Sequence, residues 1–341
     1  MIGYKATAED VARVRFSTSP LGETVHSFRM LFSSARSRQH LPWVNYARAK
    51  AKGVDLRPLR AVVPPVGYIP DFLTPAPPST AVPPRFAEEL EVVRSTDPEH
   101  FVDEVAWMVA DTRIPSPWRS EFGYLHQQML DDPVQAVKVL TELLDTYWRL
   151  VLEPHWRRMY GGLRLDIRTR MRVMESSGAA SVFSTLNNRV SWEDDRLTVR
   201  SDYAFEADLG GQGLVLMPSI FCGPEVLTML PPLQSMIVYP RPGAADFWNQ
   251  PTDQPSPLAS LLGGVRASVV EALVVPASTG ELASEISVTP GAISQHIGVL
   301  RDCDLVTSQR AGRRVVHSLT ETGEALVRGV GMLGSKVRPG H

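Results

Sequence analysis

The stretch Gly280–Thr320, GELASEISVTPGAISQHIGVLRDCDLVTSQRAGRRVVHSLT, decides the fold of the C-terminal part of this chain. It is entered through Ser278-Thr279-Gly280-Glu281, which has the form of a capping box. In that motif serine at the cap and glutamate three residues later satisfy each other's backbone amides. Leu282, Ala283 and Ile286 give the short helix an apolar face, and Ser287-Val288 supplies a brief turn. Thr289-Pro290 then opens a second helix, with threonine as cap and proline at the first helical position. Two short helices joined by a tight turn make a helix-turn-helix.

The second helix resolves into faces at ~100° per residue. Ile293, Ile297 and Leu300 form the inward stripe, and Gly291, Ser294, Gln295, Gly298 and Arg301 point the other way. That outward face is small, polar and basic, without an acid before Asp302. Small residues let a helix sink into a major groove. Serine and glutamine can bond base edges, and arginine can bond guanine or phosphate. An ordinary solvated face has the same look, but the next segment shifts the balance. Leu305–Arg310 and Val315–Leu319 read as strands joined by Ala-Gly-Arg-Arg, a hairpin carrying Arg310, Arg313 and Arg314 with no acidic residue from Leu305 to Thr320. Helix-turn-helix followed by a basic hairpin is the order of a winged helix, whose wing meets the phosphate backbone. Leu258–His341 holds eight Lys/Arg against seven Asp/Glu, so the positive charge is focused on the wing.

Working outward, Leu258, Leu261 and Leu262 lead into a helix at Val265–Leu273. Before it, PRPGAADFWNQPTDQPSP is rich in proline, polar and turn residues and reads as a domain boundary. Further upstream, Val11–Ser17 alternates like a short strand, and Pro20–Ser33 looks helical through Leu21, Val25, Phe28 and Phe32. Nine prolines between Pro58 and Pro84 exclude a long helix or central strand there. An extended, partly polyproline II segment is expected, pinned by Val62, Val63, Tyr68, Ile69, Phe72 and Leu73. A proline-rich ligand for a partner domain is the alternative. Phe86 to Met174 is mostly helical in pattern. Its clearest helix opens at Asp132-Pro133 and runs through Val137, Leu140, Leu144, Tyr147 and Val151, as a core helix or a dimer seam, until Pro154 ends or kinks it. Beyond Ser176, Val190–Trp192, Leu197–Arg200, Gly213–Met217 and Met236–Tyr239 read as strands.

Composition narrows the function classes. The 341 residues are 43% hydrophobic and 21% charged, as in globular proteins, with a net charge of −2 that leaves nucleic-acid binding to a local patch. Two cysteines, Cys222 and Cys303, exclude a disulfide scaffold and a cysteine-rich zinc site. No apolar run approaches the ~18 residues of a membrane span. The first residues lack the pattern of a signal peptide, so a cytoplasmic, non-membrane protein is expected. Gly210-Gly211-Gln212-Gly213 lacks the ending of a phosphate-binding loop and reads as a turn. His26, His40, His100, His126 and His155 are scattered singly, and no metalloprotease or nucleophile-elbow motif occurs.

The sequence resembles the DNA-binding core of ArsR/SmtB-type winged-helix repressors. The matching pieces are Gly280-Glu281-Leu282-Ala283, Ser294-Gln295-His296-Ile297, Val299-Leu300-Arg301, Leu305-Val306 and Gly312-Arg313-Arg314, in the same order. The remainder, including YIPDFLTP and GQGLVLMPSIF, is similar to actinobacterial regulators of this type with a long N-terminal domain of uncharacterised role. The resemblance implies a homodimer that binds an imperfect palindrome and represses nearby genes. It also places a histidine such as His296 beside DNA, although that residue could pack as a neutral core histidine. Metal sensors of the family carry cysteines on the first helix of the motif, or His and Asp pairs on the last helix. Here Glu281–Glu285 has no thiol and Glu321–Leu333 no histidine, so no metal sensing is expected. Cys303 is expected as a buried small residue.

The expectation is an α+β chain: a mixed α/β sensor or assembly domain at 1–240 with the Pro-rich segment 58–84, a linker at 241–257, and a winged helix-turn-helix at 258–333. Its DNA-binding residues would be Thr289, Gly291, Ser294, Gln295, His296, Gly298, Arg301, Arg310, Arg313 and Arg314. The expected function is transcriptional regulation, as a repressing homodimer on double-stranded DNA. No catalytic residues, cofactor or metal are expected, and a small-molecule effector is left unidentified. The alternative is a metabolite-binding protein or enzyme whose winged helix is a protein-interaction module.

Overall fold

The computed structural model describes residues 1–33, 40–79, 84–248, 257–273, 276–286, 288–311 and 314–334. The chain is a mixed helix-and-sheet protein that forms two compact units. The first comprises Met1–Trp156 and Asp166–Asn249, and the second Arg157–Leu165 and Gln250–His341.

In the first unit the described elements are β1 (Ile2–Lys5), α1 (Ala8–Ala12), β2 (Arg15–Phe16), α2 (Pro20–Met30), α3 (Leu41–Lys50), α4 (Arg57–Val62), α5 (Phe86–Arg94), α6 (Pro98–Ala110), α7 (Ser116–Asp131) and α8 (Pro133–Tyr147). There follow α9 (Glu153–Ser177), which passes through the second unit at residues 157–165, then α10 (Ala179–Leu186) and β3 (Val190–Glu193). The unit closes with β4 (Arg196–Val199), β5 (Phe205–Asp208), β6 (Val215–Ser219), β7 (Leu227–Met229) and β8 (Met236–Pro240). Two four-stranded sheets result, ordered β3-β4-β1-β5 and β2-β6-β8-β7. In the second, β6 runs parallel to both β2 and β8. Its apolar run is buried on both sides. Leu214 and Leu216 pack with Ile2, Tyr4 and Phe183, while Val215 and Met217 pack with Cys222, Met236 and Val238.

Some sequence expectations are met in this unit and others are corrected. Val11 and Ala12 belong to α1, because Thr7 and Asp10 form a capping box, and only Arg15–Phe16 is strand. The helix α2 ends at Met30 rather than Ser33 and is buried along its whole length. Two of its charged residues find partners inside: Glu23 accepts the amide of Ile220 at 3.1 Å, and Arg29 Nη2 donates to the carbonyl of Gly67 at 2.7 Å. The described part of the Pro-rich segment contains most of the short helix α4, with Pro58 in its first turn, and a 3-10 turn at Asp71–Leu73. Val62, Val63, Phe72 and Leu73 are buried, so it is part of the core. In α8, Asp132 Oδ1 caps the amide of Gln135 at 3.0 Å, and Val137, Leu140, Leu144 and Tyr147 are buried. The break precedes Pro154: a π-helical turn at Trp148–Leu152 leads into α9, which carries Pro154 in its first turn.

The second unit holds α11 (Pro257–Leu262), α12 (Gly264–Ala272), β9 (Ala277–Ser278), α13 (Thr279–Ile286), α14 (Pro290–Asp302), β10 (Val306–Ala311), β11 (Arg314–Leu319) and α15 (Glu321–Gly334). Its strands form one sheet ordered β10-β11-β9. One core joins Leu258, Val269, Val270, Leu273, Leu282, Ile293, Ile297, Leu300, Leu305 and Leu319. Residues 157–165 belong here too, although the sequence reading left them in the first domain. Helical periodicity shows that a segment is helical, not which core it joins.

Candidate nucleic-acid interface

The capping box at the start of α13 is formed. The amide of Ser278 donates to Glu281 Oε2 at 2.8 Å, and the amide of Glu281 returns to Ser278 Oγ at 3.4 Å. Thr289 Oγ1 caps α14 by accepting the amide of Ala292 at 3.3 Å. These two caps fix where each helix starts, and so which face of α14 turns inward.

Ile293, Ile297 and Leu300 are buried, while Gly291, Ser294, Gln295 and Arg301 are exposed and His296 and Gly298 half-buried. Ser294 Oγ donates to the carbonyl of Pro290 at 3.0 Å, which leaves its lone pairs to accept from a base amine. A Cβ added at Gly291 or Gly298 would meet nothing within 4 Å, so the free fold does not require glycine at either position. Val299 is 44% exposed one turn beyond Gln295, an apolar spot that the sequence reading did not single out. A thymine methyl is the base-edge group that it suits.

In the wing, β10 and β11 pair antiparallel from Val306↔Leu319 to Ala311↔Arg314. Arg310 is exposed near the tip. Arg313 lies outside the described residues, and of Arg314 only the strand position is described. Asp304 turns the chain from α14 into β10 at φ 55°. Leu305 thereby takes the inward position, and Cys303, expected to be buried, is exposed as the cap of α14.

The sequence reading also missed His317. It is 6% exposed on β11, with Nδ1 2.8 Å from Ser308 Oγ and Nε2 2.9 Å from Thr279 Oγ1. The signal was available, since pairing the two expected strands through a four-residue connection sets Ser308 opposite His317. Burial, aided by the nearby Arg301 charge, lowers the imidazole pKa and favours the neutral ring. Elsewhere in the unit, Arg157 Nη2 donates to the carbonyl of Ala272 at 3.2 Å, and burial lowers the pKa of that guanidinium, opposed in part by the Glu281 charge.

Residues 275–308 match the family described as bacterial regulatory protein, arsR family. The chain carries an ArsR-family helix-turn-helix domain. The match covers β9, α13, α14 and the first residues of β10. Residues 109–244 match a family of unknown function, DUF5937. The chain is also 41% identical over 70 residues, 20% of its length, to the HTH-type transcriptional regulator Rv2034 of Mycobacterium tuberculosis. It spans 65% of the length of that relative. No solved structure matches the chain. Among the described residues, no group of three or more His, Cys, Asp or Glu side chains is disposed to hold a metal ion, and no helix is long and apolar enough to cross a membrane.

Proposed function

We propose that the protein is a DNA-binding transcriptional regulator, acting as a homodimeric repressor on a palindromic operator. The observation that carries this reading is the split of α14 into an inward stripe, Ile293, Ile297 and Leu300, and an outward face of Gly291, Ser294, Gln295 and Arg301 beside an acid-free hairpin. The outward face reads base edges in the major groove, with Thr289, His296 and Gly298 at its margin. Arg310, Arg313 and Arg314 neutralise phosphates from the wing. In a two-fold dimer, half-site centres lie about one helical turn apart. The first unit senses an effector or sets assembly.

The test is a selection of bound genomic fragments by the purified full chain, repeated with Gln295→Ala at the same salt. Glutamine pairs bidentately with adenine, worth ~1–3 kcal/mol of discrimination. Gln295→Ala should therefore relax the preference at one position in each half-site. Identical preferences would give base reading to another element, and absence of any salt-dependent retention would reject the regulator.

A further inference from the structure

We infer that His317 is a positioning residue that bolts the wing to the start of the helix-turn-helix, and so sets where the wing's cations stand relative to the α14 face. The inference rests on reading this unit as DNA-binding. Its physical basis is how little else in the sheet holds the hairpin. The strand β9 is two residues long and meets β11 at only two register pairs, Val316↔Ser278 and His317↔Ala277. His317 occupies the second of these, at the root of the wing. From there its ring reaches sideways to Ser308 on β10 and forward to Thr279, the first residue of α13. One imidazole thus ties together both strands of the wing and the first helix of the motif.

The chemistry needs this residue type. A neutral imidazole has one nitrogen that donates and one that accepts, and a hydroxyl does either. Thr279 and Ser308 therefore satisfy both ring nitrogens in a directional chain: one hydroxyl donates to the ring, and the ring donates to the other. Valine or leucine at position 317 would fill the space and leave two partly buried hydroxyls without this partner. The lever magnifies any loosening. The last strand pair, Ala311↔Arg314, lies three residues further along, roughly 10 Å at ~3.3 Å per residue. A rotation of ~10° at His317 then moves that end by roughly 2 Å over that length, enough to break a charge-assisted hydrogen bond made from it. At 6% exposed, His317 acts through the wing and not by touching DNA itself.

The test uses the full chain and three variants: His317→Leu, Thr279→Val and the pair together. Affinity is measured from low to moderate salt on two probes, the best genomic fragment selected by the wild type and a random-sequence duplex. His317→Leu should weaken binding to both probes by tenfold or more and reduce the salt slope by one to two units, without altering the order of base preferences. Thr279→Val should reproduce part of that loss, and adding it to His317→Leu should cost little more, because both remove the same bond. General destabilisation of the fold would not flatten the salt slope below the melting temperature. A second measurement needs no DNA. Amide exchange over residues 306–311 and 314–319 should accelerate at least tenfold in His317→Leu, while α14 keeps its protection. Wild-type exchange in the wing, an unchanged salt slope, or additive losses would overturn the clamp. If the wild type retains no DNA at all, the regulator reading falls, and the exchange experiment still decides the role of His317.

Discussion

Glu89 Oε2 accepts the backbone amide of Leu21 at 2.8 Å, while its other oxygen, Oε1, is buried with no hydrogen-bond partner. A carboxylate half-satisfied in this way favours its neutral form. Burial pushes its pKa from 4.5 up to about 8, against the opposing pull of the Leu21 amide and the Ser19 hydroxyl. The folded state therefore holds this proton more tightly than the unfolded chain does. The stability this contributes is complete below pH 4.5 and is lost as pH rises through about 8. Glu89→Gln cannot ionise, so its melting temperature should fall less than that of the wild type between pH 5 and 9. Parallel melting curves across that range would contradict the assignment. Glu23, Asp71 and Glu104, each raised to about 7 chiefly by burial, slope the same way and set the background in both proteins.

Gly298 separates folding from recognition. A Cβ there meets nothing within 4 Å, and alanine is favoured over glycine in a helix interior by up to ~1 kcal/mol. Gly298→Ala should raise the melting temperature by a few degrees. Gly298→Glu should fold as well as the wild type yet lose DNA binding by a hundredfold or more, since it adds bulk and negative charge at the margin of the face proposed to enter the groove. Tight binding by a folded Gly298→Glu protein would move the contact surface elsewhere.

Gly323 is the opposite case. A Cβ at this position would stand 2.2 Å from the carbonyl oxygen of Leu305 and 3.2 Å from Leu319 Cδ2. Backbone cannot swing aside as a side chain can, so Gly323→Ala should destabilise the second unit by roughly 1–3 kcal/mol or more. Thermal unfolding followed by circular dichroism reads this directly, and a variant as stable as the wild type would show that α15 can shift freely on the wing strands.

The wing cations should act alike on all sequences. Arg313→Ala and Arg314→Ala should each weaken binding to specific and random duplexes equally and lower the salt slope by about one unit. The double variant is the sharper assay. An undiminished slope in it would remove these two side chains from the phosphate contacts.

The second unit was legible because its signals are local. Ser278 with Glu281 and Thr289 with Pro290 mark helix starts, and the stripe Ile293, Ile297, Leu300 fixes a face, all within a few residues of each other. The first unit was less so. The strand β1 pairs with β4 and β5, which lie about two hundred residues further along the chain, and no local pattern announces Ile2–Lys5 as strand. The helical spacing of Leu21, Val25 and Phe28 marks α2 as a helix but does not show that Glu23 and Arg29 are buried too. Their partners, the Ile220 amide and the Gly67 carbonyl, are supplied by remote backbone. Cys303 was misplaced for another reason: the family resemblance matches it to a small residue before the wing, whereas here it caps α14 just before Asp304 reverses the chain.

Residues 157–165 group with the second unit, and within them Met159 and Leu163 are fully buried. The unit that carries the helix-turn-helix is therefore not one contiguous stretch of the gene. A shortened gene product starting at Gln250 would lack Met159 and Leu163, and would leave the Ala272 carbonyl without the Arg157 guanidinium. No single cut liberates the unit whole, so grafting it onto another protein calls for two pieces of coding sequence or a designed substitute for the missing nine residues.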